Sequence, residues 1–231
     1  MRSLSQAIKE DYAGTYPYPY RRPNPSNLGS CRRYIWYQVY LADALLPLPA
    51  ELQLLFEEGR RQEEFCIDLI EKKFKVSRIS SEPSSNMKGP LGKYSVYGRP
   101  DVLVDVDDIW YMTEIKSINE GGFLRMRQMG LAKAYPNYYD QIMSTLILVA
   151  EGMPDVSPEG AYLFVRCRDN GDIHDEYIPW NPDWVEVAIG NLDKRAVDLS
   201  DRENPPERPY MTPTDFHCQT CPARDECWKL I

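Results

Sequence analysis

The sequence predicts an α/β fold in which a small mixed sheet is flanked by helices. Three observations carry this. Residues 98–117 hold two β-rich runs on either side of a polar turn at Asp107-Asp108. Residues 161–168 and 172–180 alternate around Asn170-Gly171, a strong hairpin signal. Residues 50–75 and 137–150 repeat apolar side chains at helical spacing.

Taken in order, the first 30 residues read as irregular. Tyr16-Pro-Tyr-Pro-Tyr20 and Pro23-Asn-Pro25 cannot propagate a helix. The tyrosines make either an extended arm or a platform on which single-stranded bases stack. Residues 26–46 hold Cys31 at the start of a helix that Pro47 and Pro49 end. The helix over 50–75 places Leu52, Leu55, Phe56, Gly59, Cys66, Ile67 and Ile70 on one stripe, so Cys66 reads as a packing residue. A short strand over 76–80 and a Ser/Pro/Gly loop over 80–92 follow, with Glu82 a minor site candidate. Asn119-Glu-Gly-Gly122 breaks the chain before a helical stretch over 123–134, interrupted at Tyr135-Pro136. On the next helix Tyr138, Ile142, Thr145, Leu146 and Val149 share one side, and Gln141 stands one position off it. Asn181-Pro182 caps a helix running to about 203, and Pro205, Pro206, Pro209 and Pro213 form a stiff connector to the last cysteines.

Bulk properties narrow the function. With 35 acidic and 27 basic residues the net charge is −8, which weighs against a nucleic-acid binder, since these usually show a basic footprint. A basic groove is still available from Arg21, Arg22, Arg32 and Arg33 near Cys31, and from Arg60, Arg61, Arg125 and Arg127. The N-terminus lacks a signal-peptide pattern and no apolar run is long enough for a bilayer, so the chain reads as cytosolic. There is no Gly-rich phosphate loop, and neither His174 nor His217 has the partners of a Ser/His/Asp nucleophile.

The chemistry concentrates in the first hairpin. With a two-residue turn at Asp107-Asp108, Val106 faces Ile109 and Asp101 pairs with Glu114. Lys116 then shares that face, and Val102, Val104, Val106, Ile109, Tyr111, Thr113 and Ile115 lie on the other. Two adjacent carboxylates repel unless a cation sits between them. Mg²⁺ takes one or two carboxylates together with waters and phosphate oxygens. It polarises a phosphoryl group and acidifies a bound water, while an ammonium nearby orients that water or stabilises negative charge. At the other end, Cys218-x-x-Cys221-x5-Cys227 supplies three thiols. Four thiolates suit either zinc or an iron–sulfur cluster, and spacing does not choose between them. Cys167 belongs to the second hairpin and reads as structural.

Pro100-Asp101 with Glu114-Ile115-Lys116 resembles the PD-(D/E)XK nuclease superfamily. Gln141, in Pro136-Asn-Tyr-Tyr-Asp-Gln141, is similar to the glutamine of its RecB-like branch. One early cysteine and three late ones resemble the iron–sulfur RecB-like nucleases, which include CRISPR-associated RecB-like exonucleases and the AddB nuclease module. The resemblance implies a single PD-(D/E)XK domain over 1–231, with residues 26–46 and 205–231 joining to form a cluster subdomain. It implies a [4Fe–4S] cluster on Cys31, Cys218, Cys221 and Cys227, with zinc as the alternative. It implies Mg²⁺ or Mn²⁺ on Asp101, Glu114 and the Ile115 carbonyl, with Lys116 and Gln141 catalytic. The expected activity is exonucleolytic hydrolysis of single-stranded or frayed DNA ends, with protein partners in DNA repair, recombination or CRISPR-type processing. The chain departs from the family where a histidine is expected after Gly59. Here Arg-Arg-Gln62-Glu63 follows, and Glu63 is the candidate oxygen ligand in its place. Thr145 stands where the family often has tyrosine. These departures keep open a catalytically weak DNA-binding or adaptor protein with the same fold.

Overall fold

The computed structural model describes residues 3–13, 24–27, 29–79 and 98–229. Tyr16 to Tyr20, Arg21, Arg22 and Glu82 lie outside the described residues. In chain order the elements are α1 (Leu4–Tyr12), a 3-10 turn (Pro25–Asn27), α2 (Arg32–Tyr40), a second 3-10 turn (Ala42–Ala44), α3 (Ala50–Glu71), β1 (Val76–Ser77), β2 (Val102–Val106) and β3 (Ile109–Ile118). Then come α4 (Glu120–Met129), α5 (Leu131–Ala134), α6 (Pro136–Gly152), β4 (Val156–Cys167), β5 (Ile173–Pro179), α7 (Pro182–Ser200), α8 (Phe216–Gln219) and α9 (Arg224–Lys229). Among the described residues no helix is long and apolar enough to cross a membrane.

The chain divides into two units. One carries residues 3–13, 30–58 and 194–229; the other carries 24–27, 29, 59–79 and 98–193.

The second unit is a five-stranded mixed sheet in the order β1-β2-β3-β4-β5. Asp107 and Asp108 take φ of 55° and 63°, as a type I′ hairpin turn needs. Val106 pairs with Ile109 and Val102 with Thr113, the register expected from the sequence. The connection through α4, α5 and α6 then brings β4 back parallel to β3, with Glu114 beside Leu163 and Lys116 beside Val165. β5 closes the sheet antiparallel to β4 after a turn in which Gly171 takes φ of 79°.

Both faces of this sheet are covered. Val102, Val104 and Ile115 pack with Cys66, Ile67 and Ile70 of α3. On the other face Leu103, Met112, Ile118, Leu163 and Val165 pack under Phe123, Met126, Ile142, Met143 and Leu146. The face that holds Glu114 and Lys116 is therefore interior rather than solvated. Alternation along β3 alone cannot reveal that, because the covering helices come from later in the chain.

Three boundaries differ from expectation for local reasons. The helical stretch over 123–134 is two helices, because Gly130 takes φ of 73° and stops α4. β4 begins at Val156 rather than 161, with a register shift opposite Trp110 to Met112 that accommodates Pro158 and Gly160. α7 ends at Ser200 rather than about 203, because the Asp201 side chain accepts from the backbone N–H groups of Glu203 and Asn204.

The other unit packs Trp36, Tyr37 and Leu45 against Ala223, with Cys221 and Cys227 beside them. The Trp36 indole donates to the Asp201 carbonyl at 2.7 Å and the Leu46 N–H to the Pro222 carbonyl at 3.0 Å. These bonds hold α2 to the proline-rich connector and the last helices. Arg32 and Arg33 are not the free phosphate contacts that the sequence suggests. Arg32 makes two hydrogen bonds to Asp198, one of them 2.5 Å. Arg33 is buried and donates to the Pro206 carbonyl at 2.5 Å.

Candidate active site and cysteine cavity

β2 begins at Val102, so Asp101 stands just before its first ladder residue, at the level of Glu114 on β3. There the Asp101 carboxylate accepts the Ile115 N–H at 2.7 Å. The N–H and carbonyl of one strand residue point toward the same neighbouring strand. The Ile115 carbonyl therefore faces the start of β2, beside Asp101.

Glu114 is almost wholly buried, at 1% exposure. Its Oε1 accepts both the Lys116 ammonium and the Gln141 amide, each at 2.5 Å. Gln141 reaches it from α6, so the glutamine one position off the helix stripe does arrive at this site. Glu114 Oε2 is buried with no hydrogen-bond partner. A buried carboxylate oxygen left unpaired is costly, and a cation would satisfy it.

The charges point the same way. Burial, then the Glu114 charge, push the Asp101 carboxyl well above its ordinary range, with Glu63 adding to the effect. Glu63 is also raised, first by burial and then by Glu114. Lys116 works against both shifts. Burial disfavours its ammonium, but Glu114 and Asp101 outweigh that and hold it above an ordinary lysine. The structure thus gathers Asp101, Glu114, Lys116, Gln141 and Glu63 into one electrostatic group. Among the described residues no three His, Cys, Asp or Glu side chains converge as a ready cage for one ion. Two carboxylates and a carbonyl edge suit a hard cation that keeps waters and takes the rest of its shell from a phosphate.

Thr145 is buried, and its hydroxyl donates to the Gln141 carbonyl at 2.9 Å. It stabilises the helix turn that carries Gln141 and does not face the carboxylates through that hydroxyl. Sequence reasoning missed Tyr138, whose ring centroid lies 5.1 Å from the Lys116 ammonium. Helical spacing gives Tyr138 to the apolar stripe of α6. It also stands three residues before Gln141, and that spacing places the two on one helix face.

In the other unit, Cys31, Cys218, Cys221 and Cys227 line a single cavity of ≈ 30 Å³, together with Arg33, Arg208 and Arg224. One water needs about 10–15 Å³ by this measure, so the space exceeds one small ligand atom. Cys31 precedes the first turn of α2, and the Cys221 N–H closes on the Cys218 carbonyl at 3.1 Å. The Cys221 thiol is pushed up to about 11, first by burial and then by the other three cysteines; burial also raises Cys218. Cys66 and Cys167 are fully buried in apolar clusters and do not line this cavity.

A mixed five-stranded sheet flanked by helices is the fold this chain shares with solved structures. The chain is similar to an alkaline exonuclease (LHK-Exo) from Laribacter hongkongensis at 13% identity and a TM-score of 0.55, covering 83% of this chain and 92% of that one. The same enzyme in complex with dAMP gives 12% identity and a TM-score of 0.52 over the same shares. A protein described as SSO0001 gives 15% identity and a TM-score of 0.53, covering 97% of this chain and 93% of that one. Neither family models nor curated proteins give a match to the sequence.

Proposed function

We propose that the protein is a metal-dependent deoxyribonuclease acting as an exonuclease on single-stranded or frayed DNA ends. The observation that carries this reading is the unpartnered, buried Oε2 of Glu114, next to Asp101 and within a group that also holds an ammonium and an amide. The likeness to an exonuclease solved with dAMP supports a nucleic-acid substrate.

In this reading Asp101, Glu114 and the Ile115 carbonyl hold Mg²⁺ or Mn²⁺, and Glu63 adds an oxygen where related nucleases use histidine. When bound, the ion supplies Lewis-acid polarisation of the phosphodiester and an acidified water. Lys116 orients that water and balances charge on the phosphoryl oxygens. Gln141 fixes the Glu114 carboxylate through Oε1. The carboxylate cluster keeps a phosphate away until a cation has neutralised it, so DNA and metal bind together.

The cysteine cavity is the proposed seat of a [4Fe–4S] cluster. Cys31, Cys218, Cys221 and Cys227 lining one cavity support a shared cofactor, although among the described residues no three of them stand as a ready metal cage. Arg33, Arg208 and Arg224 along the same cavity would balance the charge of four thiolates. The cluster is structural in this reading, tying α2 to the C-terminal segment.

The test is degradation of end-labelled single-stranded and blunt duplex DNA with Mg²⁺, Mn²⁺ or chelator. The parent is expected to shorten single strands with either metal and not with chelator. Lys116→Ala is expected to lose about 10²–10³-fold in rate while keeping its fold. DNA binding without cleavage under any metal would favour the adaptor reading, and parental rates in Lys116→Ala would refute the site.

A further inference from the structure

Lys116 belongs to a column that extends beyond the residues just assigned. Its ammonium lies 5.1 Å from the Tyr138 ring centroid. Tyr138 stacks on Tyr135 with centroids 5.0 Å apart and planes 19° from parallel. The Arg125 guanidinium lies 4.7 Å over the Tyr135 ring. Cation, ring, ring and cation follow one another from the site along α6 to α4. The column is anchored where Tyr135 meets Gly122. A Cβ on Gly122 would fall 2.1 Å from the Tyr135 hydroxyl, so only glycine admits the ring there.

We infer that Tyr138 is a positioning residue for Lys116, with Tyr135 and Arg125 fixing the Tyr138 ring. The inference rests on the nuclease reading for its consequence, though not for its geometry. A lysine has a flexible four-carbon stem, and its ammonium is a point charge that a single partner does not orient. The Lys116 ammonium meets both Glu114 Oε1 and the Tyr138 ring face. Once Glu114 shares its charge with a cation, its hold on the ammonium weakens. The ring carries no net charge, so a cation on the carboxylates does not neutralise its hold on the ammonium. It attracts the ammonium through its quadrupole in both states. Tyr138 thus keeps Lys116 aimed when the carboxylate is otherwise engaged. The attraction comes from the ring face, so the role needs an aromatic ring and not specifically tyrosine.

The experiment compares Tyr138→Leu, Tyr138→Phe and Gly122→Ala with the parent. Lysine ammonium signals are observed by ¹H–¹⁵N NMR, with Lys116 assigned by its loss in Lys116→Arg. The Lys116 signal is expected to be displaced by the ring in the parent and in Tyr138→Phe, and to relax toward the other lysines in Tyr138→Leu. In DNA cleavage, Tyr138→Leu is expected to lower kcat by about 10²-fold with KM unchanged, as for a misplaced catalytic group. Tyr138→Phe should recover most of that loss. Gly122→Ala should shift the signal and kcat in the same direction by pushing Tyr135, and it keeps the idea testable if Tyr138→Leu does not fold. A parental kcat in a folded Tyr138→Leu, or an unmoved Lys116 signal, overturns the inference. If the parent cleaves no DNA with Mg²⁺ or Mn²⁺, the nuclease reading fails, and the Lys116 signal alone decides whether Tyr138 positions it.

Discussion

Glu114 and Cys66 illustrate two ways in which burial acts on an ionisable side chain. Glu114 is buried with one oxygen paired and the other unpaired. Cys66 is a neutral thiol in an apolar cluster, and burial pushes it up to about 11 from an ordinary 9.0. For Cys66 the folded value lies above the unfolded one. Its stabilising contribution is therefore intact below about pH 9 and drains away as pH rises from about 9 to 11. A tenfold change in proton affinity between the two states is worth about 1.4 kcal/mol, so the loss is on the order of 2–3 kcal/mol. Urea unfolding from pH 8 to 11 should show a larger loss in the parent than in Cys66→Ala, where the raised Cys221 thiol still contributes. At Glu114 the expected outcome concerns ligand linkage. Mn²⁺ should raise the melting temperature of the parent, and Glu114→Ala should remove most of that rise because binding to the native state alone is what stabilises it. An equal Mn²⁺ shift in both proteins would place the ion elsewhere.

Among the elements, β4 and β5 approach closely enough that backbone itself would be in the way of a side chain. A Cβ on Gly160 would lie 2.5 Å from the Tyr177 ring and 2.6 Å from the Ile178 carbonyl. The carbonyl is backbone in the paired strand and cannot swing aside. Gly160→Ala is therefore expected to destabilise by about 1–3 kcal/mol, the range for overpacked sites. Gly59 makes the opposite case. It sits inside α3, with nothing within 4 Å of its missing Cβ. Gly59→Ala should stabilise by roughly 0.5–1 kcal/mol through helix propensity alone. Chemical unfolding of the two variants should move their midpoints in opposite directions. Movement in the same direction would mean that the β4–β5 contact is looser than described.

At the scale of the whole chain, the decisive connection is between Cys31 and the last three cysteines. They line one cavity although most of the sequence lies between them. If one cluster uses all four, protein prepared without air should hold about four irons per chain. Cys31→Ala should then lose iron as completely as Cys221→Ala. Both should also unfold more readily, because the energy of a ligand that joins distant segments is folding energy. Cys66→Ala and Cys167→Ala should keep full iron. Retention of full iron by Cys31→Ala would remove it from the ligand set.

Much of the fold and part of the candidate site were legible in the sequence because they rest on local chemistry. Alternation about Asp107-Asp108 set the register that puts Asp101 level with Glu114, and helical spacing put Cys66 in the core. Spacing on α6 offered Gln141 to the same side as the carboxylates. What the tertiary structure alone decided is which surfaces become interior. The Glu114 face of the sheet looks polar along β3, yet α4 to α6 bury it and leave Oε2 without a partner. Arg32 and Arg33 look like phosphate contacts in the sequence, yet Asp198 and the carbonyls of the proline connector occupy them. Tyr138 looks like one more residue of an apolar stripe, yet it faces an ammonium carried by a strand twenty-two positions earlier. Each of these depends on groups far apart along the chain. Periodicity carries information over a few residues only, whereas desolvation and pairing are set by whatever the folded chain brings alongside.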